Sequence, residues 1–548
     1  MKKVMIGGAS ILVLTACSQP ATQSDAQNTT QAPAMADARQ SYAAEGIAAM
    51  TLPELAAAIR AGDVSAEEAT AAYIARIEAV DWSGPTLQSV LALNPNAMED
   101  ARALDAKQAA GEPLGALHGV PVLLKDNIES ADPVATTAGA LALKDNVTGR
   151  DSPLTAGLRA EGAIILGKTN LSQWANFRSN DSNSGWSALG GQVKNPHMLD
   201  RNPCGSSSGS GAAVAASLAA GAVGTETNGS IICPSTVNGV VGFKPTVGLV
   251  SQQYIVPISS TQDTAGPMTK TVTGAAMMLN AMATGEAKTD YVAALDAGAL
   301  DGARIGVMRF AEGSSHDTIK DFNQALEAMT AAGAVLVEIE EFAPDAENFW
   351  GNARDVLRYE FKATLNEYLA STPDAVAPRS LDELIAFNEA NAEIELALFD
   401  QSIFIESAEM NGLDDPDYAE ARETVLAAAG TNGIDALLSE YNVDILVAPS
   451  GPVSPRVDAV NGDVWPAWAG AGYLAAIAGY PNITVPMGSA HGLPTGISFM
   501  ASKDEDAKVL SFGYAFEQRT MARLEPQYLP NAEARPEIAE AMKRKVNP

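Results

Sequence analysis

The sequence predicts an α/β layered fold in one large domain. Short apolar runs bounded by turn residues alternate with segments of helical apolar period, and no clean linker divides the chain after residue 42. A third observation concerns Asn202 to Lys244, NPCGSSSGSGAAVAASLAAGAVGTETNGSIICPSTVNGVVGFK. It holds two clusters of glycine and hydroxyl residues, Gly205 to Gly211 and Thr225 to Ser230, joined by an Ala-rich segment with the composition of a buried helix. Glycine lets backbone turn tightly or approach a ligand, so both clusters read as backbone shaped for chemistry. A flexible linker shares that composition, but it is seldom continued by an apolar, uncharged run such as AAVAASLAAGAVG.

Residues 1–16 pair Lys2 and Lys3 with an apolar stretch too short to span a bilayer, as a secretory signal does. Leu14-Thr15-Ala16-Cys17 resembles the bacterial lipobox, which implies a lipid on Cys17; Ser18 after it is similar to the signal for the outer membrane facing the periplasm. An ordinary signal peptide with a chance cysteine is the alternative. Residues 17–42, rich in Gln, Ala, Ser, Thr and Pro, read as a flexible tether. The folded domain is expected over residues 43–535, with residues 536–548 as a C-terminal tail.

Within the domain, Thr51–Glu54 and Ser65–Glu68 are capping boxes that open helices. Strands are expected at Val90–Leu93, Gly119–Lys125 and Ala163–Leu166, with a helix at Pro153–Ala160 before the last. Ala303–Met308, Asp317–Ala332 and Ala334–Ile339 read as strand, helix, strand. Residues 343–440 are mostly helical in pattern and are expected to form a cap or insertion. Val443–Ala448, Asn482–Val485 and Thr495–Phe499 return to strands.

The 35 Lys and Arg against 66 Asp and Glu give a net charge of −31, which argues against nucleic acid as a partner. Contact with a membrane is expected only through the Cys17 lipid, and a monomer is expected. Cys204 and Cys233 stand two residues before Ser206 and three after Ser230. They form a disulfide if the two clusters meet in space; otherwise they are buried thiols. The four histidines, His118, His197, His316 and His491, are too scattered for a metal-ligand set, so neither metal nor cofactor is expected.

GSSSGSG, GTETNGS and NGVVGFKPT resemble the motifs of the amidase signature family. The resemblance extends upstream to HGVPVLLKDNIE and LGKTNLSQWANF and downstream to QDTAGPM and GLPTGISFM, spanning His118 to Met500. SNDSNSGWSALGGQ and PCGSSSGS are most similar to the bacterial peptide amidases. The resemblance implies a large mixed β-sheet covered by helices on both faces. It also implies an amidohydrolase acting on C-terminal amides of peptides or amino acids through an acyl-serine.

Residue by residue, it implies Lys125 as the catalytic lysine, Ser206 as a bridging serine at a cis peptide, and Ser230 as the nucleophile. Ser206 and Ser230 stand 24 residues apart, the family's register. The oxyanion would face the amides of Thr227, Asn228, Gly229 and Ser230. A lysine ending an apolar strand more commonly reaches back to solvent, but it can instead be desolvated, which favours its neutral, basic form; the resemblance implies the second. Two residues depart from the family pattern: Asn228 replaces a glycine and Ile232 an arginine, closer to the peptide amidases than to the tRNA-dependent amidotransferases. Trp465, Trp468, Tyr473 and Phe404 are candidates to line an apolar cleft, and Trp174 and Trp186 to shape the acyl side.

Four alternatives stand beside this reading, one of them an inactive lipoprotein that binds peptides, against which Lys125, Ser206 and Ser230 are all present. Gly205–Gly209 matches G-x-S-x-G around Ser207, with His491 in the chain order of a Ser-His esterase, but KNPHMLDRNP before it is no strand. The others are a broader aryl or acyl amidase and a component of a glutamine-dependent amidotransferase.

Overall fold

The computed structural model describes residues 42–544. The expected signal peptide, Cys17 and all but the last residue of the expected tether lie outside the described residues.

Eleven strands form one mixed sheet: β1 (Val90–Leu93), β2 (Pro121–Lys125), β3 (Ile164–Thr169), β4 (Gly221–Glu226), β5 (Val241–Lys244), β6 (Thr264–Thr269), β7 (Arg304–Met308), β8 (Val335–Ile339), β9 (Ile445–Pro449), β10 (Asn482–Ala490) and β11 (Leu493–Met500). Their order is β1-β3-β2-β4-β6-β5-β10-β11-β9-β7-β8. β2 runs parallel to both β3 and β4, while β6 is antiparallel to β4 and β5. Every residue of β2, β3, β4, β5 and β6 is buried, so helices cover both faces of the sheet's centre.

The helix starts follow from their caps. Ser65 Oγ accepts the Glu68 amide at 3.0 Å, and Glu68 Oε2 accepts the Ser65 amide at 2.9 Å, a reciprocal capping box. The helix Ala66–Arg76 then buries Ala66, Ala69, Thr70 and Tyr73, its apolar stripe at helical spacing.

The Ala-rich segment differs from expectation. Only Ser208–Ala215 is helix; Gly221–Glu226 is the central strand β4. Alanine and glycine are poor strand formers, but small residues let neighbours approach. A Cβ on Gly224 would stand 2.8 Å from Ser207 Oγ, and one on Gly266 of β6 would stand 2.0 Å from the Phe243 carbonyl.

Residues 343–440 carry helices at Phe349–Ala370, Leu381–Ala390, Ser402–Ala408 and Pro416–Ala429, with shorter turns between them. Inside the expected C-terminal tail lies a further helix, Pro536–Lys543.

Candidate active site

β2 and β4 lie side by side in parallel, with Leu124 opposite Val223, so Lys125 and Thr225 emerge together at the strands' C-terminal ends. Open α/β sheets place their ligand crevices at such strand ends. Lys125 is fully buried, and its Nζ donates to Ser206 Oγ (2.7 Å), Thr225 Oγ1 (2.8 Å) and the Thr225 carbonyl (3.2 Å). Burial lowers the Lys125 pKa to about 7, and the carboxylates of Asp263 and Glu226 oppose that shift only in part.

Ser206 sits in the loop before the helix Ser208–Ala215, and the Gly205–Ser206 peptide is cis. Its carbonyl accepts the Ser172 amide at 3.1 Å. Ser207, the next residue, knits the site together. Its amide donates to the Ser230 carbonyl (3.2 Å), its hydroxyl donates to the Thr225 carbonyl (3.1 Å), and the Thr225 amide donates back to that hydroxyl (3.1 Å). The cluster around Ser206 and the loop carrying Ser230 are therefore in direct backbone contact.

The loop 227–230 links β4 to the helix Ile232–Asn238. Gly229 takes the left-handed conformation, φ +81°, with no atom within 4 Å of where a Cβ would stand. Asn228 has no positive φ, so it replaces a family glycine without backbone conflict, and its side chain is exposed. Among the described residues, no protein acceptor meets the amides of Asn228, Gly229 or Ser230. Past Ser230 the chain is held by Glu226, whose Oε2 accepts the Ile231 and Ile232 amides at 2.7 and 2.9 Å. Thr227 Oγ1 donates to Asp263 Oδ1 at 2.5 Å.

Two cavities flank this loop. One, about 410 Å³, is lined by Asn127, Thr225, Thr227, Ile255, Ile258 and Tyr368. The other, about 210 Å³, is lined by Gly229, Cys204, Cys233, Trp465, Trp468 and Tyr473. Phe404 lies elsewhere: it is buried in a separate cluster, packed against Trp174 and stacked on Phe361. Trp186 packs edge-on against Phe399.

The Ser-His arrangement does not assemble. His491 is an exposed side chain 3.5 Å from Asp317 Oδ2, and the Ser207 hydroxyl is spent on the Thr225 carbonyl. His118 and His197 face the Leu104 and Asn238 carbonyls, and His316 is exposed beside Asp317.

Several site residues escaped sequence reasoning. Thr225, Glu226 and Asp263 hold Lys125 and the serine loop, yet nothing in their spacing assigned them those contacts. Trp174, Ala175 and Asn176 all adopt positive φ (51°, 54° and 69°), and Ala175 and Asn176 line one cavity each. Non-glycine residues rarely take that conformation, so no pattern of residue types announced it.

Known proteins show similarity over most of the chain. The family model described as Amidase matches residues 68–510. A probable amidase of Arabidopsis thaliana is 36% identical over 83% of this chain and 87% of its own length. A putative amidase of Schizosaccharomyces pombe is 33% identical over 81% of this chain and 81% of its own. Among solved structures, the native peptide amidase of Stenotrophomonas maltophilia is 44% identical, with a TM-score of 0.82 over 87% of this chain and 98% of that one. On that similarity, which runs across the sheet and both serine loops, the chain belongs to the amidase signature family and is a hydrolase that acts on amides.

Proposed function

We propose that this enzyme hydrolyses the C-terminal carboxamides of peptides or amino acids through a Ser230 acyl-enzyme, with Lys125 and Ser206 as the proton relay. The observation that carries the reading is the buried Lys125 amine, with a pKa near 7 and 2.7 Å from the Ser206 hydroxyl. In its neutral form the amine keeps two N–H bonds to Thr225 and turns its lone pair to Ser206, whose O–H then donates to it. Ser206 in turn takes the proton of Ser230 as that hydroxyl attacks the amide carbon.

The oxyanion is received by the amides of Thr227, Asn228, Gly229 and Ser230; donors of this kind contribute about 3–4 kcal/mol each. The proton returns through Ser206 to the leaving nitrogen, ammonia departs, and water attacks the acyl-Ser230 ester by the same relay. The acid is released and Ser230 recovers its proton. The peptide substrate is inferred from the 44% identity to a peptide amidase and from the two cavities beside the loop.

The deciding experiment follows ammonia release from peptide C-terminal amides, free glutamine and an aryl amide. Peptide-amide turnover that vanishes in Ser230→Ala and Lys125→Ala and survives in His491→Ala supports the reading. Turnover confined to glutamine would favour an amidotransferase component, and loss of activity in His491→Ala would overturn the lysine relay.

We further propose that the enzyme is exported and anchored through Cys17. Labelled fatty acid incorporated into wild type and not into Cys17→Ala would support this; unlabelled wild type in a lipoprotein-competent host would refute it.

A further inference from the structure

A covalent bond stands beside the two serines. Cys204 and Cys233 form a disulfide with a Cα–Cα distance of 5.9 Å. Cys204 precedes Ser206 by two residues and Cys233 follows Ser230 by three. Both are buried, 5% and 2% exposed.

Each half-cystine is tied to the loop it serves. The Cys204 amide donates to Asn202 Oδ1 at 2.8 Å, and its carbonyl accepts the Ser208 hydroxyl at 2.5 Å, bracketing Ser206 on both sides. The Cys233 amide donates to the Gly229 carbonyl at 2.8 Å, closing the turn that contains Ser230. Between the loops, the non-covalent backbone link is the Ser207 amide to the Ser230 carbonyl, at 3.2 Å.

We infer that the Cys204–Cys233 disulfide is a positioning device, which holds the loop of Ser206 against the loop of Ser230 so that the two hydroxyls come within proton-transfer reach when substrate binds; the inference rests on the proton-relay reading above. General fastening is already supplied by other contacts. Gly211 packs so tightly on the helix Ile232–Asn238 that a Cβ there would stand 2.8 Å from the Pro234 carbonyl. Asn238 Nδ2 also donates to the Pro203 carbonyl at 3.0 Å. What remains for the disulfide is fine alignment, and a misplacement of about 1 Å in a reacting group is worth about a hundredfold in rate.

Both cysteines line the cavity of about 210 Å³, which gives a small dithiol a route to the bond. A dithiothreitol thiolate attacks one sulfur to form a mixed disulfide, and its second thiol then closes the oxidised ring. Cys204 and Cys233 receive the two electrons and two protons.

The test compares oxidised, dithiothreitol-reduced and reoxidised wild type with Cys204→Ser/Cys233→Ser, using a peptide amide that the oxidised enzyme hydrolyses. Expected are a fall in kcat of about 10- to 100-fold on reduction, an unchanged KM, unchanged far-ultraviolet circular dichroism and recovery on reoxidation. The double variant should start at the low kcat and ignore dithiothreitol. An unchanged kcat with a lower melting temperature would make the bond purely structural. A raised KM at constant kcat would make it only a wall of the cleft, and unfolding on reduction would make it a stability element; each of these overturns the inference. An oxidised enzyme that hydrolyses no amide would remove the functional reading itself, which separates the two failures.

Discussion

At the scale of single residues, the proposed relay turns on the protonation of Lys125. Burial disfavours its charged form and brings the pKa to about 7. A relay base must be neutral to accept a proton, so kcat/KM should rise with pH along a limb centred near pH 7 and be lost on the acid side. Lys125→Met should remove about 10²- to 10⁴-fold of activity, the usual worth of a positioned base, and abolish that limb. The Asp263 carboxylate is the largest influence raising the lysine's pKa, so Asp263→Asn should move the limb to lower pH. A pH-rate profile on the three proteins checks this, and a limb that survives in Lys125→Met would assign it to another group.

Lys125 was legible through the resemblance of its LLKDN context, since a lysine directly after Val-Leu-Leu fits a side chain reaching solvent as well as a buried one. Thr225 and Asp263 were not legible as its partners, because Thr225 is 100 residues away in the chain and only the pairing of β2 with β4 brings it near.

At the scale of elements, one buried arginine is among the side chains that dock the helices of residues 343–440, beside Glu360, which accepts the Thr261 hydroxyl at 2.9 Å, and Tyr368, whose hydroxyl accepts the Asn146 side chain at 2.9 Å. Arg178 Nη1 donates to Gln173 Oε1 (2.8 Å) and to the Glu395 carbonyl, and Nη2 donates to the Phe399 carbonyl (3.2 Å). Its guanidinium lies 3.5 Å from the Glu395 carboxylate and 4.2 Å from the centre of the Phe399 ring. Glu395 also accepts the Gln173 side chain and the Leu141 amide at 2.5 Å each, so the carboxylate is paired away from water, while Arg178 Nε is buried without a hydrogen-bond partner among the described residues. Arg178→Met leaves the Glu395 carboxylate buried without its cation, which should cost about 3–5 kcal/mol. The urea midpoint should fall accordingly, and Arg178→Met/Glu395→Gln should recover part of the loss. A single variant as stable as wild type would show that the helices dock without help from the Arg178–Glu395 pair.

Elements differed in how well they could be read. β7, β8 and β11 are rich in branched and apolar side chains, and their apolar runs marked them within two residues at either end. β4 hid in an Ala-rich run, and β6 contains Pro267, which argues against a central strand by the usual rule. Their place in the sheet is set by how closely small residues let Phe243 and Ser207 approach, a tertiary property.

At the scale of the whole molecule, the sheet's centre buries cations that a surface would leave fully charged. Lys125, Lys244 and Lys270 have pKa values lowered by burial to about 7, 8 and 8, against an ordinary value of 10.5. Above the folded value and below 10.5, the unfolded chain holds these protons and the folded chain does not. Stability rises with pH wherever the unfolded state binds more protons. Buried carboxyls act in the opposite sense at lower pH: burial raises Asp263 to about 6 and Glu517 to about 7, so their opposing contribution is nearly complete by pH 7. The melting temperature should therefore climb from pH 7 to pH 9. At about 0.15 M salt, where charge effects are screened beyond roughly 8 Å, the self-repulsion of a −31 chain stays a minor influence. Lys270 lies away from the serine loops, its Nζ donating to the carbonyls of Ala48, Ala49 and Met50. Lys270→Met should flatten the climb while leaving the pH-rate limb of Lys125 in place. A melting temperature that is flat or falling across that range in wild type would mean that the buried lysines keep their protons in the folded enzyme, and the neutral-lysine relay would lose its physical basis.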